Sequence, residues 1–315
     1  MFMFEPFSAV FTMAPLQQKV IRALFSAGEV VAPRLAGRAA FELFVRTPDR
    51  RRPSEGEKRA IERAAQLLAE ARRHCLTTRQ GNVTAFEFRP GEGTQQRGSV
   101  LVLHGWASRT EHMRALIEAL RAAGHRVVSL DLPGHGSSAG RRLNLAVAVE
   151  AVSVTSDWLG PFSAAVGHSF GGAIALNAAA GSVKGVPTLP VDRLVLIAAP
   201  SSMPALFRDF GQFVNLGARS YRHLAGRVET IAGHPLDHYV GSRLLAGLSQ
   251  PTLVIHAADD REVAAWHAED HAAAGDHVRL EWMDGLGHRR ILADPRVAAR
   301  TVAFIGERSE VPLTY

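Results

Sequence analysis

The sequence predicts an α/β protein with a mostly parallel central sheet flanked by helices. From about residue 82 onward, short β-rich apolar runs alternate with amphipathic stretches, which is typical of strands covered by helices. Several runs, such as residues 100–103 and 194–197, are apolar at every position, as expected for strands buried on both faces. A chain of 315 residues is long enough for one large domain with an appendage.

Each run is assigned to an element by its periodicity and its flanking turn residues. The predicted strands cover residues 82–88, 99–103, 126–130, 163–167, 193–198, 252–257 and 278–283. The predicted helices between them cover about residues 110–123, 143–159, 170–181, 262–274 and 295–306. Residues 201–250 are too many for a βα loop and too apolar for a linker, so we expect a small helical lid insertion there. Residues 81–315 are therefore assigned to the main domain.

Residues 1–80 are predicted to form an N-terminal helical extension. Apolar residues recur at helical spacing over 15–47, with breaks at Pro33 and Pro48, and Ser54 with Glu57 forms a capping-box pattern before a further helix. This segment holds 14 Lys and Arg against 8 Asp and Glu, which is the whole of the net charge of +6. A solvated helical face explains this excess better than nucleic-acid binding, since no recognition motif accompanies it. Contact of the apolar N-terminal segment with a membrane is the less favoured alternative.

Cysteine usage and hydropathy favour a cytoplasmic location. Cys75 is the only cysteine, so no intramolecular disulfide can form. The apolar first residues lack the basic start and long core of a secretory signal. No run reaches the about 18 apolar residues of a membrane span.

A serine lies between glycines where a predicted strand meets a predicted helix, in Gly167-His168-Ser169-Phe170-Gly171. This G-x-S-x-G pattern is typical of a sharp strand-to-helix turn that exposes the serine hydroxyl. The flanking glycines are needed because a Cβ there would collide with neighbouring backbone. The amide of Phe170, at the start of the helix, is then placed to stabilise an oxyanion.

A nucleophilic serine needs a base and an acid that orients the base. The strand predicted at 252–257 runs into Asp259 and Asp260, and the loop after the next strand carries His288 between glycines. The chain order serine, aspartate, histidine is the one found in one class of serine hydrolases. The sequence alone leaves both acids open, because turn geometry cannot be read from it.

Other polar residues near strand ends have structural interpretations. His104-Gly105-Trp106 follows a strand, and the Trp106 amide is placed to be a second oxyanion donor. Asp131 and His135 belong to a predicted structural loop, in which Asp131 binds backbone amides. His267 and His271 are four residues apart on a predicted helix, where a solvated face is preferred over a zinc site.

These motifs together resemble those of the α/β-hydrolase fold family, in its single-domain bacterial type. The resemblance rests on HGW at 104–106, DLPGHGSS at 131–138, GHSFGG at 167–172, the acid turn at 256–260 and GLGH at 285–288. It implies Ser169 as nucleophile, His288 as general base and Asp260 as the orienting acid, with Trp106 and Phe170 as oxyanion-hole amides. Similar proteins have a glycine where this chain has Ala257.

The resemblance implies a serine hydrolase acting on a carboxylic ester, without metal or organic cofactor. Thioesterase, lactonase and carbon–carbon bond hydrolase activities on the same triad remain alternatives, as does a non-catalytic binding protein with the same fold. The partner expected is a small ester or acyl substrate, and the apolar insertion suggests an apolar portion in it.

Overall fold

An eight-stranded, mostly parallel sheet forms the centre of the molecule, as predicted. The structure is a computed structural model that describes residues 14–49 and 52–307. In chain order the strands are β1 Arg72–Thr78, β2 Gly81–Phe88, β3 Ser99–Leu103, β4 Arg126–Asp131, β5 Ala164–His168, β6 Arg193–Ile197, β7 Thr252–His256 and β8 Val278–Trp282. Their spatial order is β1-β2-β4-β3-β5-β6-β7-β8.

Helices connect and cover these strands. In chain order they are α1 Pro15–Val31, α2 Pro33–Phe44, α3 Glu55–Ala69, α4 Arg114–Ala122, α5 Leu145–Leu159, α6 Phe170–Ala179, α7 Met203–Phe213, α8 Ala218–Ala232, α9 Gly241–Ala246, α10 Trp266–Ala272, α11 Gly287–Arg290 and α12 Pro295–Gly306. Short 3₁₀ turns lie at Thr110–Met113, Leu236–His238 and Ile291–Ala293. Among the described residues, no helix has the length and apolarity needed to cross a bilayer.

The direction of the strands brings several loops to one edge of the sheet. β1 and β2 form an antiparallel hairpin, and β2 pairs antiparallel with β4. β3 lies parallel to both β4 and β5, and the parallel pairing continues through β6, β7 and β8. The loops that follow β3, β5, β7 and β8 therefore meet at the carboxyl edge of the sheet, where ligand sites of such folds lie.

Two apolar layers hold the sheet between helices. One contains Val149 of α5 and Ile174 of α6, and the other contains Ile117 of α4 and Phe304 of α12. All four side chains are at most 2% exposed. Burial on both faces explains why strands such as β3 and β6 are apolar throughout.

The N-terminal helices contact both sides of the molecule. Phe41 of α2 belongs to the layer that contains α5, whereas Leu67 of α3 belongs to the layer that contains α4. The capping box that begins α3 is confirmed: Ser54 Oγ accepts from the Glu57 amide at 3.2 Å, and the Ser54 amide donates to Glu57 Oε2 at 2.8 Å. These helices are therefore built into the core.

Strand β1 lies inside the segment that the sequence analysis assigned to helices. Its sequence, RRHCLTT, carries charged and polar side chains, and only Leu76 and Thr78 are buried. As an edge strand, β1 pairs with β2 alone, and its outer side faces solvent. Such a strand has no apolar run by which sequence reasoning could find it.

Helices fill the long connection between β6 and β7, as its length and apolar composition predict. α7 buries Phe207 and Phe210, and α8 buries Leu224 and Val228. Phe207 stacks on Phe44 of α2 with ring centroids 4.2 Å apart. The insertion is therefore anchored to the N-terminal helices on one side of the site described below.

Candidate active site

Ser169 occupies the turn between β5 and α6. Its backbone has φ 54° and ψ −127°, in the region that residues with side chains rarely adopt. The close approach of neighbouring backbone explains the glycines: a Cβ on Gly167 would strike the Gly171 carbonyl, and a Cβ on Gly171 would strike the Leu103 carbonyl. The turn is the strand-to-helix elbow that the sequence predicts.

The structure brings Ser169, His288 and Asp260 into one hydrogen-bonded chain. Ser169 Oγ lies 3.0 Å from His288 Nε2, and His288 Nδ1 lies 2.8 Å from Asp260 Oδ2. The nitrogen facing a carboxylate carries the proton, so Nδ1–H donates to Asp260 and Nε2 is left to accept the serine proton. These three side chains come from loops after β5, β7 and β8.

Asp260, and not Asp259, contacts the histidine. Asp259 is exposed, and its Oδ1 accepts from the amides of Gly285 at 2.9 Å and Gly287 at 3.3 Å. Asp259 thereby shapes the loop that carries His288. Ala257, where similar proteins have a glycine, is fully buried and does not adopt a positive φ, so the alanine fits the turn.

The surroundings of Asp260 keep its carboxylate ionised. Burial acts to raise its pKa, but the hydrogen bond and charge of His288 and the amides of Val263 and Glu262 outweigh burial and hold the pKa below its usual range. Those amides donate to Oδ1 at 2.9 and 2.8 Å. The acid is therefore charged and fixed in orientation before any substrate arrives.

Two backbone amides stand beside Ser169 at the positions predicted for an oxyanion hole. Phe170 begins α6, and Trp106 lies in the turn after β3, with its ring 6.0 Å from the Phe170 ring. Within the described part of the chain, neither amide donates a hydrogen bond to another group. Both N–H groups remain available to an oxygen bound above Ser169.

His168 is a residue whose contribution the sequence analysis missed. Burial lowers its pKa to about 3, so the ring is neutral. Its Nε2–H donates to the backbone carbonyl of His288 at 2.9 Å. The residue before the nucleophile thereby fixes the loop that carries the base, and only its place inside the G-x-S-x-G motif could have signalled this.

Hydrogen bonds within the loops after β3 and β4 hold the turn that carries Trp106 in place. Asp131 accepts from the amides of Thr110 and Ser137 at 2.9 and 2.7 Å, which confirms the predicted structural role. Burial lowers the pKa of both His104 and His135 to about 3, so both rings are neutral. His135 Nε2 accepts from the Ala107 amide at 3.1 Å, next to Trp106, and so steadies the turn.

A cavity of about 510 Å³ opens above Ser169. Its apolar wall contains Phe44, Trp106, Phe170, Leu206, Val263 and Leu292. Ala60 and Arg63 of α3 also line it, although no sequence pattern connects that helix with the site. The cavity is large enough for a small organic substrate and is bounded by the N-terminal helices and the insertion.

His267 and His271 are buried in α10, so the expectation of a solvated helix face is wrong. They are 5% and 0% exposed, and burial lowers their pKa to about 3 and about 4. His267 Nδ1 accepts from the Ser201 amide at 3.0 Å. The short helix packs against β7, β8 and α9, which its sequence alone did not indicate. Among the residues the structure describes, no three His, Cys, Asp or Glu side chains are arranged to hold a metal ion.

Comparison with known proteins decides the family. A family model described as the alpha/beta hydrolase family matches residues 100–301, which include the elbow, both acids and His288. The chain belongs to the alpha/beta hydrolase family.

This alpha/beta hydrolase shares less than a third of its residues with each of the following proteins. It is 29% identical to the magnesium-chelatase 30 kDa subunit of Rhodobacter capsulatus over 230 residues, 60% of this chain and 80% of that protein. Among solved structures, carboxylesterase CesB from Bacillus subtilis has a TM-score of 0.57 at 18% identity, with 79% of this chain and 96% of that chain covered. A bacterial membrane phospholipase A has a TM-score of 0.56 at 20% identity over 92% and 96%. The solved structures support the fold alone.

Proposed function

We propose that this alpha/beta hydrolase is a serine hydrolase that cleaves a carboxylic ester through an acyl-enzyme on Ser169. One observation carries the proposal: the unbroken hydrogen-bonded chain from Ser169 through His288 to Asp260 at the floor of a cavity. Nucleophile, base and orienting acid are each within 3.0 Å of the next.

The first half of the reaction acylates the serine. Ser169 Oγ attacks the ester carbonyl while His288 Nε2 takes its proton, and the charge that develops on the imidazole is balanced by Asp260. The carbonyl oxygen becomes an oxyanion, which accepts from the amides of Trp106 and Phe170. When the tetrahedral intermediate collapses, the ester C–O bond breaks, and His288 returns the proton to the departing alcohol.

The second half releases the acid. A water molecule takes the place of the alcohol, and His288 Nε2 accepts a proton from it as it attacks the acyl carbonyl. The same two amides receive the second oxyanion. Collapse breaks the bond to Ser169 Oγ, which regains its proton from His288. Each step uses groups of this chain and water only.

The cavity favours a substrate with an apolar acyl or alcohol portion, because about half of its lining residues are aromatic or aliphatic. The other half are polar or charged, and they include Arg63, Arg114, Arg289 and Arg290. An ester is preferred to an amide because its alkoxide leaving group makes the smaller demand on proton transfer. A thioester, a lactone or a carbon–carbon bond of a diketone could react on the same triad. We place the enzyme in the cytoplasm, in line with its single cysteine.

A second candidate is a non-catalytic binding role on the same fold. The likeness to a protein named as a magnesium-chelatase subunit favours it, because that name describes a component of a larger assembly. A binding protein has no need of an ordered triad, so the hydrogen bonds of Ser169 and His288 favour the hydrolase.

Hydrolysis of p-nitrophenyl esters of increasing acyl length tests the proposal. We expect turnover by the wild type and a fall in kcat by about 10³-fold or more for Ser169→Ala and for His288→Ala. A substitution at Trp158, which is 74% exposed on α5 and does not line the cavity, serves as the matched control. Equal turnover by wild type and Ser169→Ala would contradict the proposal, and no turnover of esters, thioesters or lactones by folded wild type would favour the binding role.

A further inference from the structure

Helix α1 presents an apolar stripe to solvent. Leu16, Val20, Leu24 and Val31 are 72%, 51%, 66% and 83% exposed. Spacings of four and seven residues place them along one side of the helix. The opposite side packs on the protein through the buried Phe25. The helix is therefore apolar on both sides. Among the described residues, only the side that carries Phe25 packs against other parts of the protein.

Two further exposed apolar residues lie where α1 meets α2. Val30, in the last turn of α1, and Leu35, in the first turn of α2, are 75% and 63% exposed. In the described part of the chain, six of the nine exposed large apolar side chains fall within residues 16–35, and the other three are tryptophans elsewhere. Exposed apolar residues that are concentrated in this way mark an interaction surface, whereas scattered ones do not.

Cations border the stripe without acidic partners. Lys19, Arg34 and Arg38 are exposed and form no ion pair with a described residue. The acidic side chains of α1 and α2 bind other parts of the protein and not these cations. Glu29 accepts from the Ser220 amide and hydroxyl at 2.9 and 2.6 Å, and Glu42 pairs with Arg142 at 2.7 Å. The surface is thus apolar in the middle and positively charged at its border.

We propose that this surface, formed by Leu16, Val20, Leu24, Val31 and Leu35 with its bordering cations, docks on an anionic lipid membrane. Apolar side chains on one side of a helix enter the boundary between headgroups and acyl chains, and nearby Lys and Arg are attracted to anionic headgroups. A second copy of the chain fits less well, because a symmetric contact would bring the cations of both copies together.

The sequence immediately before α1 extends the apolar character. Residues 1–13, which lie outside the described part, contain four phenylalanines and no Lys or Arg. At the other end of this region, α2 ends at Phe44, which lines the cavity above Ser169. The docking surface is therefore joined to the wall of the site by a single helix. The proposal does not depend on the chemistry at Ser169.

Cosedimentation of the full-length protein with vesicles tests the proposal. Two compositions are compared: phosphatidylcholine alone, and phosphatidylcholine with about one third phosphatidylglycerol. We expect the wild type to bind the anionic vesicles more tightly than the neutral ones. The triple variant Leu16→Gln, Val20→Gln, Leu24→Gln should lower partitioning onto the anionic vesicles at least about tenfold. Glutamine keeps helix propensity, so the helix should remain folded.

Two further variants separate the contributions. Lys19→Gln with Arg34→Gln and Arg38→Gln should lose the preference for anionic vesicles, by about fivefold for each cation removed. Trp158→Gln removes an equally exposed apolar side chain from α5, at 74% exposure, and should bind as the wild type does. Circular dichroism should give the same helix content for all variants.

Three outcomes would overturn the proposal. The first is a wild type that fails to sediment with anionic vesicles, and the second is an apolar triple variant that binds as well as the wild type. The third is a wild-type dimer, detected by light scattering, that persists in the presence of vesicles and that the apolar triple variant does not form. That outcome would assign the surface to a second copy of the chain.

Discussion

The Ser169 backbone is strained, and its neighbours hold it in place. A residue with a side chain at such a φ costs on the order of 1–3 kcal/mol, which the surrounding packing must offset. The Ser169 amide donates to the Ile197 carbonyl at 2.8 Å, and its carbonyl accepts from the Gly172 amide at 2.9 Å. These bonds belong to β6 and α6, so the sheet and the helix both fix the angle at which Oγ is presented.

Replacing Asp260 with Asn should lower kcat by about 10³–10⁴-fold, because the amide no longer selects the histidine tautomer with its proton on Nδ1. Asp259→Asn should lower kcat far less, since that side chain contacts only the amides of Gly285 and Gly287. Both variants are compared by steady-state ester hydrolysis at neutral pH. A larger loss for Asp259→Asn would contradict the assignment of the acid.

The positions of Ser169 and His288 could be predicted because glycine-bracketed motifs mark them in the sequence. The residues by themselves left the choice between Asp259 and Asp260 open, because adjacent carboxylates in one turn point in directions that the backbone angles determine. The resemblance to the α/β-hydrolase fold family indicated Asp260, and this is the acid that contacts His288. The burial of His267 and His271 could not be predicted. Two polar side chains on a short helix indicate a solvated face unless a neighbour covers them, and here α9 packs against α10.

At the scale of elements, the wall of the cavity is built from helices and loops that are far apart in the sequence. Phe44 from the end of α2 stacks on Phe207 of α7, and Phe44 lies 6.4 Å from the Trp106 ring. Leu206, adjacent to Phe207, faces the cavity. Such contacts link the insertion to the N-terminal helices and give both a part in selecting the substrate.

Leu206→Trp should narrow the cavity and discriminate by acyl length. We expect kcat/KM for an octanoyl ester to fall at least about tenfold more than for an acetyl ester, because only the longer chain needs the filled space. Leu244→Trp in α9, on a partly buried leucine outside the cavity lining, is the matched control. An equal loss on both esters in Leu206→Trp would show that this residue does not border the acyl site.

The elements that could be predicted are those whose own sequence shows an apolar pattern, because that pattern marks the buried face. β3 spans Ser99–Leu103 and α12 spans Pro295–Gly306, as expected from their apolar periodicity. The contribution of α3 to the cavity arises from long-range packing, which leaves no local pattern. The edge strand β1 was not predicted. One of its edges faces solvent and most of its side chains are polar, so it has no apolar run.

At the scale of the molecule, five buried histidines should make stability depend on pH. Burial lowers the pKa of His104, His135, His168 and His267 to about 3 and that of His271 to about 4. In the unfolded chain a histidine titrates at about pH 6.5. Between these values the unfolded state binds more protons, so stability falls as the pH falls from about 6.5 toward 4.

The loss approaches about 1 kcal/mol per pH unit for each histidine in the middle of that window. Asp260, whose pKa is lowered, contributes stability above its unfolded pKa of about 3.9, and the loss of this contribution at lower pH adds to the trend. Urea unfolding at about pH 7.5, 6.5, 5.5 and 4.5 measures the effect, and His267→Gln should reduce the slope. An unchanged midpoint across this series would refute the account of neutral buried histidines.

The central claim is that Ser169 is an activated nucleophile, and intact-mass labelling with a fluorophosphonate tests it most directly. The account predicts a single covalent adduct on the wild type, located on the peptide that contains Ser169. It predicts no adduct on Ser169→Ala and greatly slowed labelling of His288→Ala. A folded wild type that stays unlabelled, or a Ser169→Ala variant that labels as fast as the wild type, would contradict it.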